Sequence, residues 1–279
     1  MSRPNDSLRF WFLAPVRVFA VLLMAAPLAI VAAYSVLTRG TYGGQTPPVT
    51  LESYLRLADG LYLAIAAKSF LVAIASTAFC LVLAFPLALF LSRVRRHRNW
   101  YLHLVMLPFW TSFLVRTYAW MFLLRDTGLV NTVLQWAGVI TEPLPLLYND
   151  GAVVLGLVYG YLPFMVLPIY AALERLDPAL TDAASDLGAR PMTVLFTVIV
   201  PLARPGMIAG SVLVFIPCLG AYLTPDLLGG GKSMLIGNVI QQQFTSARDW
   251  PFGAALSLIL MAAVMALLVW FTRQSERAL

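Results

Sequence analysis

Charge is what this 279-residue chain has least of. Only 11% of its residues are Asp, Glu, Lys or Arg, while 60% are hydrophobic and the mean hydropathy is +0.81. Soluble domains carry about 25% charged and about 45–50% apolar residues, so the shortage excludes a soluble fold and points to a membrane protein. A chain this long could form two soluble domains, but spread over membrane spans it reads as one bundle. Cysteine is scarce too. Cys80 and Cys218 both sit in apolar runs, as small buried side chains do, rather than at the spacing of a disulfide framework or a metal site. The two histidines, His97 and His103, have no ligand partner at usable spacing. No Ser/His/Asp or Cys/His constellation suggests an enzyme. A net charge of +6 could suggest nucleic acid, yet the basic residues lie in short loops beside apolar runs and read as topology signals.

What the chain has is six apolar segments near the ~20 residues a bilayer requires. They are 18–37, 70–91, 102–124, 152–173, 205–223 and 252–271, and Arg116 is the one charge inside them. The first exceeds the ~7–15-residue core of a signal peptide, so it is read as retained. Segment 192–200 is apolar but too short to span and is placed under the bundle. Residues 46–50, with Pro47 and Pro48, read as irregular backbone. Loops 38–69, 125–151 and 224–251 are long enough to carry short helices or a docking surface.

Six spans put both termini on one side. Twelve basic residues flank that side: Arg3, Arg9, Arg17, Arg93, Arg95, Arg96, Arg98, Arg175, Arg190, Arg204, Arg273 and Arg277. Six lie opposite: Arg39, Arg56, Lys68, Arg125, Lys232 and Arg248. The positive-inside rule makes the termini cytoplasmic. The expected organisation is a cytoplasmic N-terminus at 1–17, a spanning domain at 18–273 with a cytoplasmic loop at 174–204, and a tail at 274–279.

Within that loop stands a short polar helix. Asp177 suits the N-cap, Pro178 the first helical position and Gly188 the residue past the C-terminus. Leu180, Ala183, Ala184 and Leu187 form a small apolar face, too small to hold a helix in water alone, so the helix is expected to dock into a partner. Read as a mere connector, its Asp182 and Asp186 would be a solvated acidic face. Gly229-Gly230-Gly231-Lys232-Ser233 looks like a phosphate loop but has Asp226 where that motif needs glycine. It follows a span, not a strand, so the chain has no nucleotide site of its own.

Arg116 is expensive within a span. It is either satisfied by helix-end carbonyls or a neighbouring acid, or it belongs to a pathway. Trp110, Tyr118, Trp120, Tyr159, Tyr161 and Tyr222 suit core or interfacial positions, and those facing a pathway could meet an ammonium group by cation–π contact. Asp226 lies just beyond the fifth span, where it could receive a cation with Tyr222, cap the next segment, or pair with Arg116.

Asp182-Ala183-Ala184, three residues, Gly188, nine residues, then Val198-Ile199-Val200-Pro201 resembles the EAA loop of ABC-importer permeases. Asp182 stands for the usual Glu, Val198 for Ile and Val200 for Leu, while Ala183, Ala184, Gly188 and Pro201 match as they are. Segments 114–120, 220–230, 234–244 and 248–251 are similar to spermidine/putrescine-type permease subunits. The resemblance implies an all-α, MetI-like bundle of six spans in a bacterial inner membrane, with the 177–188 helix as coupling helix. It implies a second, homologous permease subunit, two cytoplasmic ATPase subunits that hold the ATP and Mg, and an external solute-binding protein. The chain itself would need no cofactor. Asp182, Ala183, Ala184, Asp186, Gly188 and Pro201 are the coupling candidates. Trp110, Arg116, Tyr118, Tyr222 and Asp226 are the pathway candidates. The cargo implied is a polyamine, with opine, ferric iron or aminophosphonate import as alternatives on the same machinery. An ion-coupled secondary transporter fits less well, because such proteins keep acids or His in their spans and these spans hold no acid.

Overall fold

The computed structural model describes residues 6–94 and 96–276. Arg3, Arg95 and Arg277, used above for topology, lie outside the described residues. Thirteen α-helices, one two-stranded sheet and one π turn make up the described chain. It divides into two compact units, one of residues up to Leu63 with Val239–Leu267, the other of Ala64–Asn238 with residues from Leu268 onward.

The first unit begins with α1 (Asp6–Ser35), which starts well before the expected span at residue 18. Then come β1 (Leu37–Arg39), β2 (Gln45–Val49) and α2 (Glu52–Arg56). The expectation of irregular backbone at 46–50 is wrong. β2 pairs antiparallel with β1 in the register Thr38↔Thr46 and Arg39↔Gln45. Proline is tolerated there because a two-stranded ribbon is all edge and needs no N–H on its open side. The sheet is a minor addition to a helical protein.

The turn before α13 (Trp250–Glu276) holds this unit's loops together. Arg39 Nη2 donates to the Ala247 carbonyl at 2.7 Å, and the Gly44 N–H to the Arg248 carbonyl at 2.8 Å. Asp249, only 2% exposed, accepts from Arg56 at 2.8 Å and from the Phe252 N–H. Burial works against the Arg56 charge, but Asp249, with a contribution from Tyr62, outweighs it and raises the guanidinium pKa above its ordinary value. The 248–251 segment is therefore a helix cap and a loop clasp.

The second unit contains most of α3 (Gly60–Arg93), then α4 (Arg98–Trp110), α5 (Phe113–Leu124), α6 (Leu129–Trp136) and α7 (Asp150–Glu174). α8 (Pro178–Asp186), α9 (Pro191–Val194), a π turn (Leu195–Ile199), α10 (Val200–Leu219), α11 (Leu223–Gly229) and the start of α12 (Ile236–Phe244) complete it. Its core is the α7–α10 pair. A Cβ on Gly206 would lie 2.5 Å from the Pro168 carbonyl oxygen, and one on Gly210 would lie 2.8 Å from Met165 Sδ. Small residues at such crossings let span helices approach backbone to backbone.

Two of the expected spans differ. Among the described residues five helices are long and apolar enough to cross a membrane, and the third expected span is not among them. It is two helices, α4 and α5, interrupted at Thr111 and Ser112, both extended. Pro108 cannot donate to the turn before it, and the N–H and hydroxyl of Thr111 both turn back to the Pro108 carbonyl. The fifth helix is longer than the expected span: Pro191–Leu219 runs unbroken for 29 residues, so 192–200 is continuous with the spanning helix and not a separate segment. Pro201 cannot donate to Thr197, and the rod continues by widening to a π turn in which the Val200 N–H reaches the Leu195 carbonyl.

Candidate functional site: a coupling helix and an interrupted span

α8 is made by its caps. Asp177 accepts the Ala179 N–H at 2.9 Å and Pro178 takes the first position. At the other end Gly188 adopts φ +83°, its N–H reaching the Ser185 carbonyl at 2.9 Å and that of Ala189 the Ala184 carbonyl at 3.1 Å. These two bonds are the Schellman closure, which needs a residue at home in left-handed space. No residue of α8 is buried, and Leu187 just past it is 89% exposed. Asp182, Ala183, Asp186 and Gly188 are all exposed, and Ala184 is half-buried.

α8 packs back on α9 and the π turn. Asp182, Thr181 and Ser185 line a cavity of about 390 Å³ with Arg93, Met192 and Leu195. Pro201 lies outside that cavity, exposed on the second residue of α10, and touches the site only through the π turn it causes.

Three pathway candidates flank the interruption in sequence, and two lie at α11. Trp110 ends α4, exposed, with the His103 ring at 6.2 Å. Arg116 and Tyr118 are on α5, and Tyr222 and Asp226 begin α11, which packs on both α5 and α7. Arg116 is half-buried, with Nε and Nη1 shut from solvent and no hydrogen-bond acceptor. Its guanidinium lies 5.7 Å over the Phe113 ring. Among the described residues neither helix-end carbonyls nor an acid meets those two atoms, and Asp226 makes no ion pair with it. Asp226 is exposed in the first turn of α11, whose N-cap is Tyr222, so it is not the cap either. Trp120 packs edge-on against Tyr159 at 5.5 Å, as a core aromatic does. Among the described residues no group of three His, Cys, Asp or Glu could hold a metal.

Several polar residues escaped the sequence reading. Lys68 pairs with Asp150 at 2.9 Å, and Ser233 donates to the same carboxylate. Fully buried Asn131 is hydrogen-bonded on both faces to Leu144, fixing the loop after α6. Arg98 pairs with Glu174. These partners lie far apart in sequence, and no local pattern announces them. The glycine-rich 229–231 run is a tight turn, with Gly230 at φ +55° against the Tyr148 ring.

A family model described as binding-protein-dependent transport system inner membrane component matches residues 7–279. The spermidine/putrescine transport system permease protein PotB of Salmonella typhimurium (strain SL1344) is 42% identical over 92% of this chain and 90% of its own. PotB of Escherichia coli K12 is 41% identical over 92% and 94%. The inner membrane ABC transporter permease protein YdcU of E. coli K12 is 36% identical over 77% and 72%. Among solved structures, a bacterial ABC transporter that imports the acidic polysaccharide alginate shares the fold, with a TM-score of 0.76 at 16% identity over 98% of both chains. These relatives are permeases and not enzymes, and the apolar helices make this chain a multi-pass inner-membrane protein. By a match over nearly its whole length, the chain belongs to the binding-protein-dependent transport system inner membrane component family.

Proposed function

We propose that this chain is the permease subunit of an ATP-driven importer and that its cargo is a polyamine. It would pair with a second, homologous permease, two cytoplasmic ATPase subunits carrying ATP and Mg, and an external binding protein that delivers the solute. The observation that carries the reading is α8, a helix fully capped yet with nothing buried, whose Leu187 is 89% exposed. A partner's cleft is what such a face lacks. Asp182, Ala183, Ala184, Asp186 and Gly188 are its contact surface, and Pro201 sets the geometry of the rod beneath. Closure of the ATPases would move α8 and switch the bundle between inward- and outward-facing states. The polyamine assignment is supported by the names of relatives at 41–42% identity.

In the reconstituted complex, Gly188→Trp is expected to abolish stimulation of ATPase activity by loaded binding protein, with membrane insertion intact. Normal stimulation would overturn the coupling role. Both termini are assigned to the cytoplasm with α8. A cysteine at exposed Lys232 should then react with an impermeant thiol reagent applied outside, and one at exposed Asn99 should not. The reverse pattern would invert the topology.

One observation favours a second cargo reading. A guanidinium with two nitrogens shut from solvent and no acceptor on either, as at Arg116, suits a carboxylate or phosphonate better than an ammonium group. Uptake assays with labelled spermidine, an opine and an aminophosphonate separate the two. Spermidine transport sustains the first reading, and transport of the anion-bearing solutes alone sustains the second.

A further inference from the structure

Arg98 opens α4 and Glu174 closes α7, 76 residues apart in sequence, and their side chains form an ion pair. The same guanidinium lies 5.3 Å over the ring of Tyr170, one turn earlier on α7. One planar cation is thus held by a carboxylate and by a ring face. The paired side chains are 37% and 39% exposed, so solvent screens the attraction and it adds little to stability. What the pair does is fix one helix end to another.

Both ends are well placed to move. Glu174 is three residues before Asp177, the cap of α8, and the chain between turns tightly, with the Leu176 N–H on the Leu173 carbonyl. At its far end α4 stops at Thr111 and Ser112, two extended residues of the kind that absorb a change in direction. α4 itself has no buried residue. An apolar cavity of about 330 Å³, lined by Leu91, Tyr101, Leu104, Pro108 and Tyr159, separates part of it from α3 and α7. Beyond the interruption, α5 packs on α7 and α11, while α4 meets α7 near its two ends, through Arg98 over Tyr170 and through the Phe109 ring edge-on to Phe164 at 5.3 Å.

From this arrangement we infer that Arg98 is a positioning residue for transport: its clasp on Glu174 and Tyr170 makes α4 a lever that relays movement of α8 to the interruption in the third span. The inference rests on α8 being the coupling helix. When α8 moves, Glu174 moves with it and Arg98 obliges α4 to follow. The cavity gives α4 room to tilt, and the extended pair at 111–112 lets it do so without dragging α5. Trp110, at the moving edge, then shifts relative to Arg116 and Tyr118. Without the clasp, ATP is hydrolysed but the inner half of the span does not follow.

The test is transport per ATP hydrolysed in the reconstituted complex with spermidine-loaded binding protein. Arg98→Glu and Glu174→Arg should each leave stimulated ATPase within about twofold while transport per ATP falls about tenfold or more, a coupling loss of ordinary size. The double reversal should return to within about threefold of the parent, because the pair interacts directly. Arg98→Lys should fall between, keeping the charge but losing the planar contact with Tyr170. A merely structural pair would lower the amount of assembled complex and leave the ratio unchanged. Parental ratios in both single variants, or no recovery in the double, would overturn the clasp. Should a reversal fail to assemble, Arg98→Gln and Glu174→Gln are read by the same criterion. Gly188→Trp distinguishes the two layers. If it uncouples while the clasp variants do not, the lever falls and the coupling helix stands. If it does not uncouple, the coupling reading falls.

Discussion

α8 and α11 are built alike and used in opposite ways. Both are short, nine and seven residues, and both end at a glycine in left-handed space, Gly188 at φ +83° and Gly230 at φ +55°. Thr224, Pro225, Leu228 and Gly229 of α11 are buried, whereas α8 buries nothing. Around Gly230 a Cβ would fall 2.1 Å from the Tyr148 ring, and around Gly188 it would meet no atom within 4 Å. Both helices close on a glycine at the C-terminal end, but α11, which has no side-chain N-cap, buries four of its residues in this chain, whereas α8 only rests on α9 and the π turn. On the proposed function, the surface that α8 lacks belongs to another subunit.

The sharpest way to break that comparison is to truncate the two leucines. Leu228, fully buried, packs against Gly156 of α7, and Leu228→Ala should cost about 2–5 kcal/mol of folding stability, read as a lowered Tm and a reduced yield of folded protein. Leu187→Ala should leave Tm unchanged, since an 89% exposed side chain loses no intrachain packing, yet lower uptake by the assembled complex. A Tm loss at Leu187, or unaltered uptake there, would remove the distinction.

The two glycines give a smaller effect. Alanine in left-handed backbone costs on the order of 1–2 kcal/mol at either position. At Gly230 the collision with Tyr148 adds to it, so Gly230→Ala should lower Tm more than Gly188→Ala. Equal losses would mean that Tyr148 yields freely and that α11 is as open as α8.

This contrast also marks what could be read from sequence. α8 was legible because its determinants are local: Asp177, Pro178 and Gly188 are adjacent to the turns they cap. The interruption at Thr111 and Ser112 was not, because proline is a poor guide inside spans. α7 runs through Pro163 and Pro168, and α3 through Pro86, without breaking. What differs at Pro108 is Thr111 three residues on, whose hydroxyl and N–H both close on the Pro108 carbonyl and end the helix there. Pro201 does not end its helix either, since a π turn carries the fifth span past it. Arg116 stands out in the sequence as a charge within a span, but its want of an acceptor emerges only from packing. The Arg98–Glu174 clasp joins residues 76 apart, a pairing that the fold creates and no local motif foretells.

The smallest change should come from Asp182→Glu, which lengthens the acid on an exposed helix face and restores the residue usual in this loop. Transport should stay within about twofold of the parent and stability unchanged, as at most exposed positions. A loss of tenfold or more would show that the shorter acid makes a contact specific to this chain.

The most direct measurement of the central claim is a contact map of α8 in the assembled importer. A photo-crosslinker on a cysteine at Ala183, exposed in the isolated chain, should join this subunit covalently to the cytoplasmic ATPase, while the same reagent at Lys232 should not. No ATPase adduct from Ala183 in a correctly assembled complex, or an equal adduct from Lys232, would contradict the assignment of α8 as the surface that the ATPase grips.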